Sequence, residues 1–241
     1  AAARNRAQGA TSVGLFETGG VFLPRDDQEL PDEPYRIAAL ITGPVRPATW
    51  RTPDPPRADY FAAKGMLTAL MRSLRANWRV EGSREPFLHP GRRAAIVVDS
   101  QTAGWLGEIH PLVAADWDLE ETVAGFELDL DALPVTDSAR FVDVTSFPAL
   151  REDLAVVVSD EVSLAKVIEV VRRGGQPLLA DVEVFDVYRD PERLGEGNVS
   201  LALRLEFRAP DRTLTDEEVA AQRETIAAAL ASELEGRVRA S

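Results

Sequence analysis

The chain has 241 residues, 45% hydrophobic and 28% charged, with a formal net charge of −13. It has no cysteine and only two histidines, His89 and His110, which excludes disulfides and thiolate metal sites and argues against a histidine-rich metal centre. No apolar run approaches the roughly 18 residues that span a membrane, and the opening AAARNRAQGA has neither the apolar core of a signal peptide nor an initiator Met, so a cytoplasmic piece of a longer chain, folded as one large or two ordinary domains, is expected.

VGLFETGGVFLP (13–24) predicts a strand and a turn, and PYRIAALITG (34–43) a buried strand bounded by Pro and Gly. Pro44, Pro47, Pro53, Pro55 and Pro56 mark a loop. Asp59 is placed to cap a helix in which Tyr60, Ala63, Leu67, Leu70, Met71 and Leu74 form one apolar face through about Asn77. Gly65 costs that helix about 1 kcal/mol relative to Ala, so a close packing contact is expected there. RRAAIVVD (92–99) and GWLGEIHP (104–111) read as a hairpin turning between Ser100 and Ala103. Phe126, Leu128 and Leu130 alternate with Glu127, Asp129 and Asp131, the pattern of a half-buried strand, and 132–146 reads as the passage to a second domain.

That second domain opens with the strand LAVVV (154–158). Leu164, Val167, Ile168 and Val171 then have helical spacing, ended by Gly174-Gly175. LLADVEVFDVYR (178–189) and SLALRLEFR (200–208) are strands that pair across the Gly-containing loop DPERLGEGN (190–198). In the second strand, Leu201, Leu203, Leu205 and Phe207 face one way, and Ser200, Ala202, Arg204, Glu206 and Arg208 the other. Thr215-Asp216-Glu217-Glu218 has the form of a capping box. It opens a helix from Asp216 to about Leu234 with Val219, Ile226 and Leu230 inward, and GRVR (236–239) makes a short last strand. The order β-α-β-β-α-β is the ferredoxin-like arrangement, in which two helices cover one face of a four-stranded antiparallel sheet and leave the other open. An open sheet face is a platform on which unpaired bases stack.

Four linked motifs carry more than a fold class: SFPALREDL (146–154), FDVY (185–188), SLA (200–202) and RTLTDEEV (212–219). In this order and spacing they resemble the ferredoxin-fold anticodon-binding domain that ends the β subunit of bacterial phenylalanyl-tRNA synthetases. LFETG (15–19), YFAAKG (60–65), LHPGR (88–92), LGEIHP (106–111) and FELDL (126–130) are similar to the synthetase-like module of the same subunit. The resemblance implies an α+β chain: an inactive class II synthetase-like antiparallel sheet module over 1–138, then a ferredoxin-like βαββαβ anticodon-binding domain over 139–241. It implies no catalytic residue and no cofactor in this stretch. ATP and Mg serve the complete ligase, whose active site lies in the α subunit. No Gly-x-Gly-x-x-x-Arg motif of the catalytic class occurs, and Arg84-Glu85 lacks the setting of the other. The implied partners are the α subunit and phenylalanine tRNA, with no DNA and no membrane.

Arg151, Tyr188, Arg204, Arg208 and Arg212 are the tRNA-binding candidates, with Phe147 a further stacking option. An Arg fork holds a phosphate or a base edge, and an exposed aromatic stacks a base for about 1–3 kcal/mol. The competing reading, equally open, is that Phe147 and Tyr188 are core and the arginines pair with nearby acids. Residues 1–140 hold 15 basic and 20 acidic side chains, net −5; residues 141–241 hold 12 and 20, net −8. Such a field repels nucleic acid, so any RNA role needs a local patch, or else the chain is a purely structural assembly module. Nearly all the basic residues are Arg, for which a GC-rich genome is the plain explanation. The chain departs from the family at Glu152 and Asn198-Val199, where basic character is usual. On the presumed RNA side, two lost contacts reduce the salt slope by roughly 1.4. His89 and His110 read as structural residues at turns, and Glu127, Asp129 and Asp131 as a solvated strand face rather than a metal site. Arg92-Arg93 read as solvated or as pairing with the α subunit.

Overall fold

In the computed structural model, which describes residues 1–27, 29–134 and 147–239, the apolar runs become two antiparallel sheets, each with its own helices. The chain divides into two compact units, 1–139 and 140–241. Most of the expected passage at 132–146 lies outside the described residues.

The first unit contains α1 (Ala2–Ala7), β1 (Val13–Gly20), β2 (Tyr35–Thr42), α2 (Tyr60–Leu74), β3 (Trp78–Glu81), β4 (Leu88–Val98), β5 (Gln101–Ile109), α3 (Pro111–Ala115) and β6 (Val123–Asp129). The six strands lie in the order β1-β2-β6-β5-β4-β3. Asp59 caps α2, its side chain accepting from the Ala62 N–H at 2.7 Å. The apolar stripe of α2 buries Ala63, Leu67 and Met71 against Ile96, Leu106, Phe126 and Leu128. Each large side chain so buried contributes about 1.5–3 kcal/mol.

Four expectations are corrected here. The run expected as a buried strand, β2, is mostly half-buried, because α2 covers only one face: Ile37, Ala39 and Ile41 pack on the core, while Ala38 and Leu40 line an open groove. The β4–β5 hairpin turns at Asp99-Ser100, not further on: Val98 pairs with Gln101, and both turn residues have positive φ, 50° and 105°. Asp131 is off the strand, because the chain leaves β6 in a single 3-10 turn over Leu130–Ala132. Gly65 marks no packing contact, since a methyl added there meets nothing within 4 Å.

The second unit contains β7 (Leu150–Ser159), α4 (Leu164–Gly174), β8 (Leu179–Tyr188), α5 (Pro191–Leu194), β9 (Asn198–Phe207), α6 (Asp216–Leu234) and β10 (Arg237–Arg239). The strand order β10-β7-β9-β8, all antiparallel, is the ferredoxin-like one. Leu201, Leu203, Leu205 and Phe207 are buried beneath α4 and α6, together with Val167, Val170 and Val171, and with Val219, Ile226 and Leu230. Both arms of the capping box form: the Thr215 hydroxyl accepts from the Glu218 N–H at 3.3 Å, and the Glu218 carboxylate accepts from the Thr215 N–H at 3.0 Å. The loop expected over 190–198 contains a helical turn, α5, capped by Asp190.

Candidate nucleic-acid interface

The alternation of β9 sends Arg204 and Glu206 to the face that no helix covers, and the register builds cross-strand rows around them. Arg204 lies opposite Asp153 on β7 and Glu183 on β8. Its Nε and Nη2 donate to the two Asp153 carboxylate oxygens, both at 2.9 Å. That fork holds Asp153 below the usual carboxylate range and raises Arg204. The Arg204 guanidinium also lies over the Phe185 ring, 4.8 Å from its centroid.

The next row shares one acid between two cations. Arg151 donates through Nε and Nη2 to Glu206 Oε2 at 3.1 and 3.0 Å, and Arg208 Nη2 donates to Oε1 at 3.0 Å. Arg208 Nε is buried without a partner. Arg212 pairs with Glu218 at 2.7 Å and so braces the cap of α6. Every candidate arginine is therefore held by an acid.

The aromatics divide. Tyr188 is exposed, and its hydroxyl donates to Asp190 Oδ2 at 2.5 Å. The bond raises the Tyr188 pKa and depresses that of Asp190. Phe147 is half-buried just before β7. The expectation that Tyr188 belongs to the core is wrong, because β8 carries a bulge between Val184 and Asp186 that shifts its phase and sets Tyr188 opposite Ser200.

Phe185, Arg237 and Arg239 join this side without being singled out by the sequence. The bulge presents Phe185, and β10 pairs Arg237 with Val157 and Arg239 with Ala155. Arg237 Nη2 donates to the Leu194 carbonyl at 3.4 Å, and Arg239 has no ion-pair or hydrogen-bond partner among the described residues. The alternation in GRVR was the available signal. At one end the platform closes: α5 packs on β9, with Leu194, Val157 and Ser200 buried.

The two departures from the family pattern are not on this face. Glu152 lies on the helix side and accepts from Arg223 Nη1 of α6 at 3.2 Å. Val199 is core, and Asn198 Nδ2 donates to the carbonyls of Leu194 and Glu196, closing the loop. The expected loss of phosphate contacts at these positions is withdrawn for a site on the open face.

In the first unit the histidines are turn residues, as expected. His89 Nδ1 accepts from the Gly91 N–H at 3.1 Å, and His110 Nδ1 from the Leu112 N–H at 3.2 Å. The acids of β6 are more engaged than a solvated face: Glu127 pairs with Arg36 at 2.5 Å, and Asp129 accepts from the Asp131 N–H. Arg92 is neither simply solvated nor free for another subunit, because Glu108 accepts from it at 2.7 Å. The buried Glu108 also accepts from the Tyr60 N–H at 3.0 Å, tying β5 to the start of α2. Arg93 Nη1 donates to the Glu85 carbonyl at 2.9 Å. Among the described residues no three His, Cys, Asp or Glu side chains converge as metal ligands, and no helix is long and apolar enough to cross a membrane.

A ferredoxin-like sheet with an Arg-bearing open face belongs to a class that sequence comparison specifies: residues 145–239 match the ferredoxin-fold anticodon binding domain. Residues 1–130 match the phenylalanyl tRNA synthetase beta chain CLM domain. The chain belongs to the phenylalanyl-tRNA synthetase β-chain family. It is 42% identical over 210 residues to the phenylalanine–tRNA ligase β subunit of Symbiobacterium thermophilum, covering 86% of this chain and 23% of that one. It is 37% identical over 234 residues to the subunit of the same name from Geobacillus kaustophilus, covering 95% and 29%. The chain thus spans between a fifth and a third of the length of these relatives.

Proposed function

We propose that this chain is a non-catalytic part of a phenylalanine–tRNA ligase β subunit, in which the second unit docks the anticodon region of phenylalanine tRNA on its open sheet face. The carrying observation is the cluster of Arg151, Arg204, Arg208 and exposed Tyr188 on one uncovered face of a domain with an anticodon-binding family match. The contribution to aminoacylation is positional: a tRNA held at its anticodon presents its acceptor end to the α subunit, where ATP and Mg act, and that placement replaces a costly encounter. The first unit docks the α subunit. Its exposed Phe16, Phe61, Leu112 and Trp117, and an apolar groove of about 510 Å³ lined by Leu15, Leu40, Trp105 and Val113, support a partner surface. The assembled ligase works in the cytoplasm.

The test is alanine at Arg204 together with Arg208 in the complete αβ enzyme. The KM for tRNA rises, while adenylate formation and co-purification with α are unchanged. An unchanged KM favours the second reading, a purely structural assembly module, which the complete pairing of the candidate arginines with acids supports.

A further inference from the structure

We propose that Arg204 is a stacking platform for an unpaired nucleobase rather than a phosphate ligand, with Asp153 and Phe185 as its positioning residues. The inference rests on the docking reading above and assigns its two rows different ligand chemistry.

Arg204 stands between two acids, with Asp153 beside it on β7 and Glu183 beside it on β8. Direct cross-strand neighbours have Cβ atoms about 4.5–5.5 Å apart. The row therefore carries one cation and two anions, so a phosphate arriving there meets net repulsion and an uncharged base does not. The side-on edge of the guanidinium is already filled by the Asp153 carboxylate. One flat face covers the Phe185 ring, and the side chain as a whole is 44% exposed. What remains for a ligand is the outer flat face and the end of the fork. A planar guanidinium backed by an aromatic ring and pinned by two hydrogen bonds loses little freedom when a base lands on it.

The adjacent row has the opposite balance. Arg151, Glu206 and Arg208 bring two cations to one acid, and this is where a phosphate fits. Arg204 and Glu206 are two residues apart on β9, so the rows are about 6.8 Å apart. Base and phosphate chemistry thus lie side by side on one face.

The experiment uses the complete αβ enzyme, phenylalanine tRNA transcripts and a salt series. Arg204→Lys keeps the charge but not the plane, so it raises the KM for tRNA about tenfold, with kcat and the salt slope unchanged. Asp153→Asn and Phe185→Leu raise it several-fold, with adenylate formation intact. A fluorescent adenine analogue, placed in turn at each anticodon-loop position, is quenched on binding at one of them, and Arg204→Lys abolishes that quench. Arg208→Gln, in the neighbouring row, lowers the salt slope by about 0.7. The proposal is overturned if Arg204→Lys binds like the parent, or if Asp153→Asn tightens binding. If Arg208→Gln still weakens tRNA in that case, the docking reading stands and only the platform falls. If neither row responds, the docking reading falls with it.

Discussion

Asp153, Glu206 and Glu218 each hold a candidate arginine within 3.0 Å, on side chains open to solvent. Exposed pairs of this kind contribute about 0–1 kcal/mol, so exchanging a carboxylate for an RNA phosphate costs the fold little. Glu108 is different, because its side chain is only 5% exposed and it satisfies the Tyr60 N–H at the first turn of α2. Glu108→Leu leaves that N–H without a partner and is expected to destabilise the first unit by about 1–3 kcal/mol. All four tryptophans, Trp50, Trp78, Trp105 and Trp117, lie in that unit, so the shift appears in a urea curve followed by Trp emission. A second residue-scale expectation concerns Tyr188 and Asp190. The Tyr188 pKa is raised, so what the contact gives the fold is present below the ordinary tyrosine range and lost as pH climbs through the raised value. The Asp190 pKa is depressed, so at the acid end the contact persists below the ordinary carboxylate range and is lost as pH falls through the depressed value. Asp190→Asn should bring the Tyr188 titration down toward the ordinary value. Tyrosinate absorbance measures it, with Tyr188→Phe identifying which of the three tyrosines moved.

At the scale of the element, Gly65 is an exposed helix-interior glycine with open space around its Cα. Gly65→Ala is expected to stabilise the first unit by about 0.8–1 kcal/mol, read as a higher urea midpoint in Trp emission. Thr215→Ala removes one arm of the capping box and should cost the second unit about 1 kcal/mol, which far-UV circular dichroism follows because no Trp lies there. The same local chemistry made most of this fold legible in the sequence. Strict alternation in SLALRLEF fixed the faces of β9, and helical spacing fixed Val219, Ile226 and Leu230 as the buried stripe of α6. What escaped depends on backbone phase and on partners distant in sequence. Asp99-Ser100 takes two positive-φ positions without a glycine to announce them. Counting by twos from buried Val182 puts Tyr188 against the helices, and only the bulge turns it outward. Glu152 was separable in principle, since period two places it opposite Arg151 and Asp153, but its partner Arg223 is 71 residues away. For the site, the residue types were legible and their pairing was not.

Across the whole molecule, charge sets the terms on which RNA can approach. The net charge of −13, with −8 in residues 141–241, opposes tRNA at long range, while salt screens charges separated by more than about 10 Å at 0.1 M. Binding must then come from short-range cations whose acids are outnumbered, and the open face has two such places: the Arg151–Glu206–Arg208 row, and β10, where Arg237 and Arg239 meet no acid among the described residues. Each phosphate neutralised on a single strand adds about 0.7 to the salt slope. Replacing both Arg237 and Arg239 by Gln should therefore lower the slope for the complete αβ enzyme by about 1.4, with kcat for aminoacylation unchanged at saturating tRNA. Glu224→Gln, on exposed α6, removes one negative charge without altering either cationic place. It should leave the slope as it was and change affinity by less than the arginine pair does. Filter binding across a salt series measures both variants. Equal slopes for the arginine pair and the parent would remove β10 from the interface and leave the Glu206 row as the phosphate contact of this face.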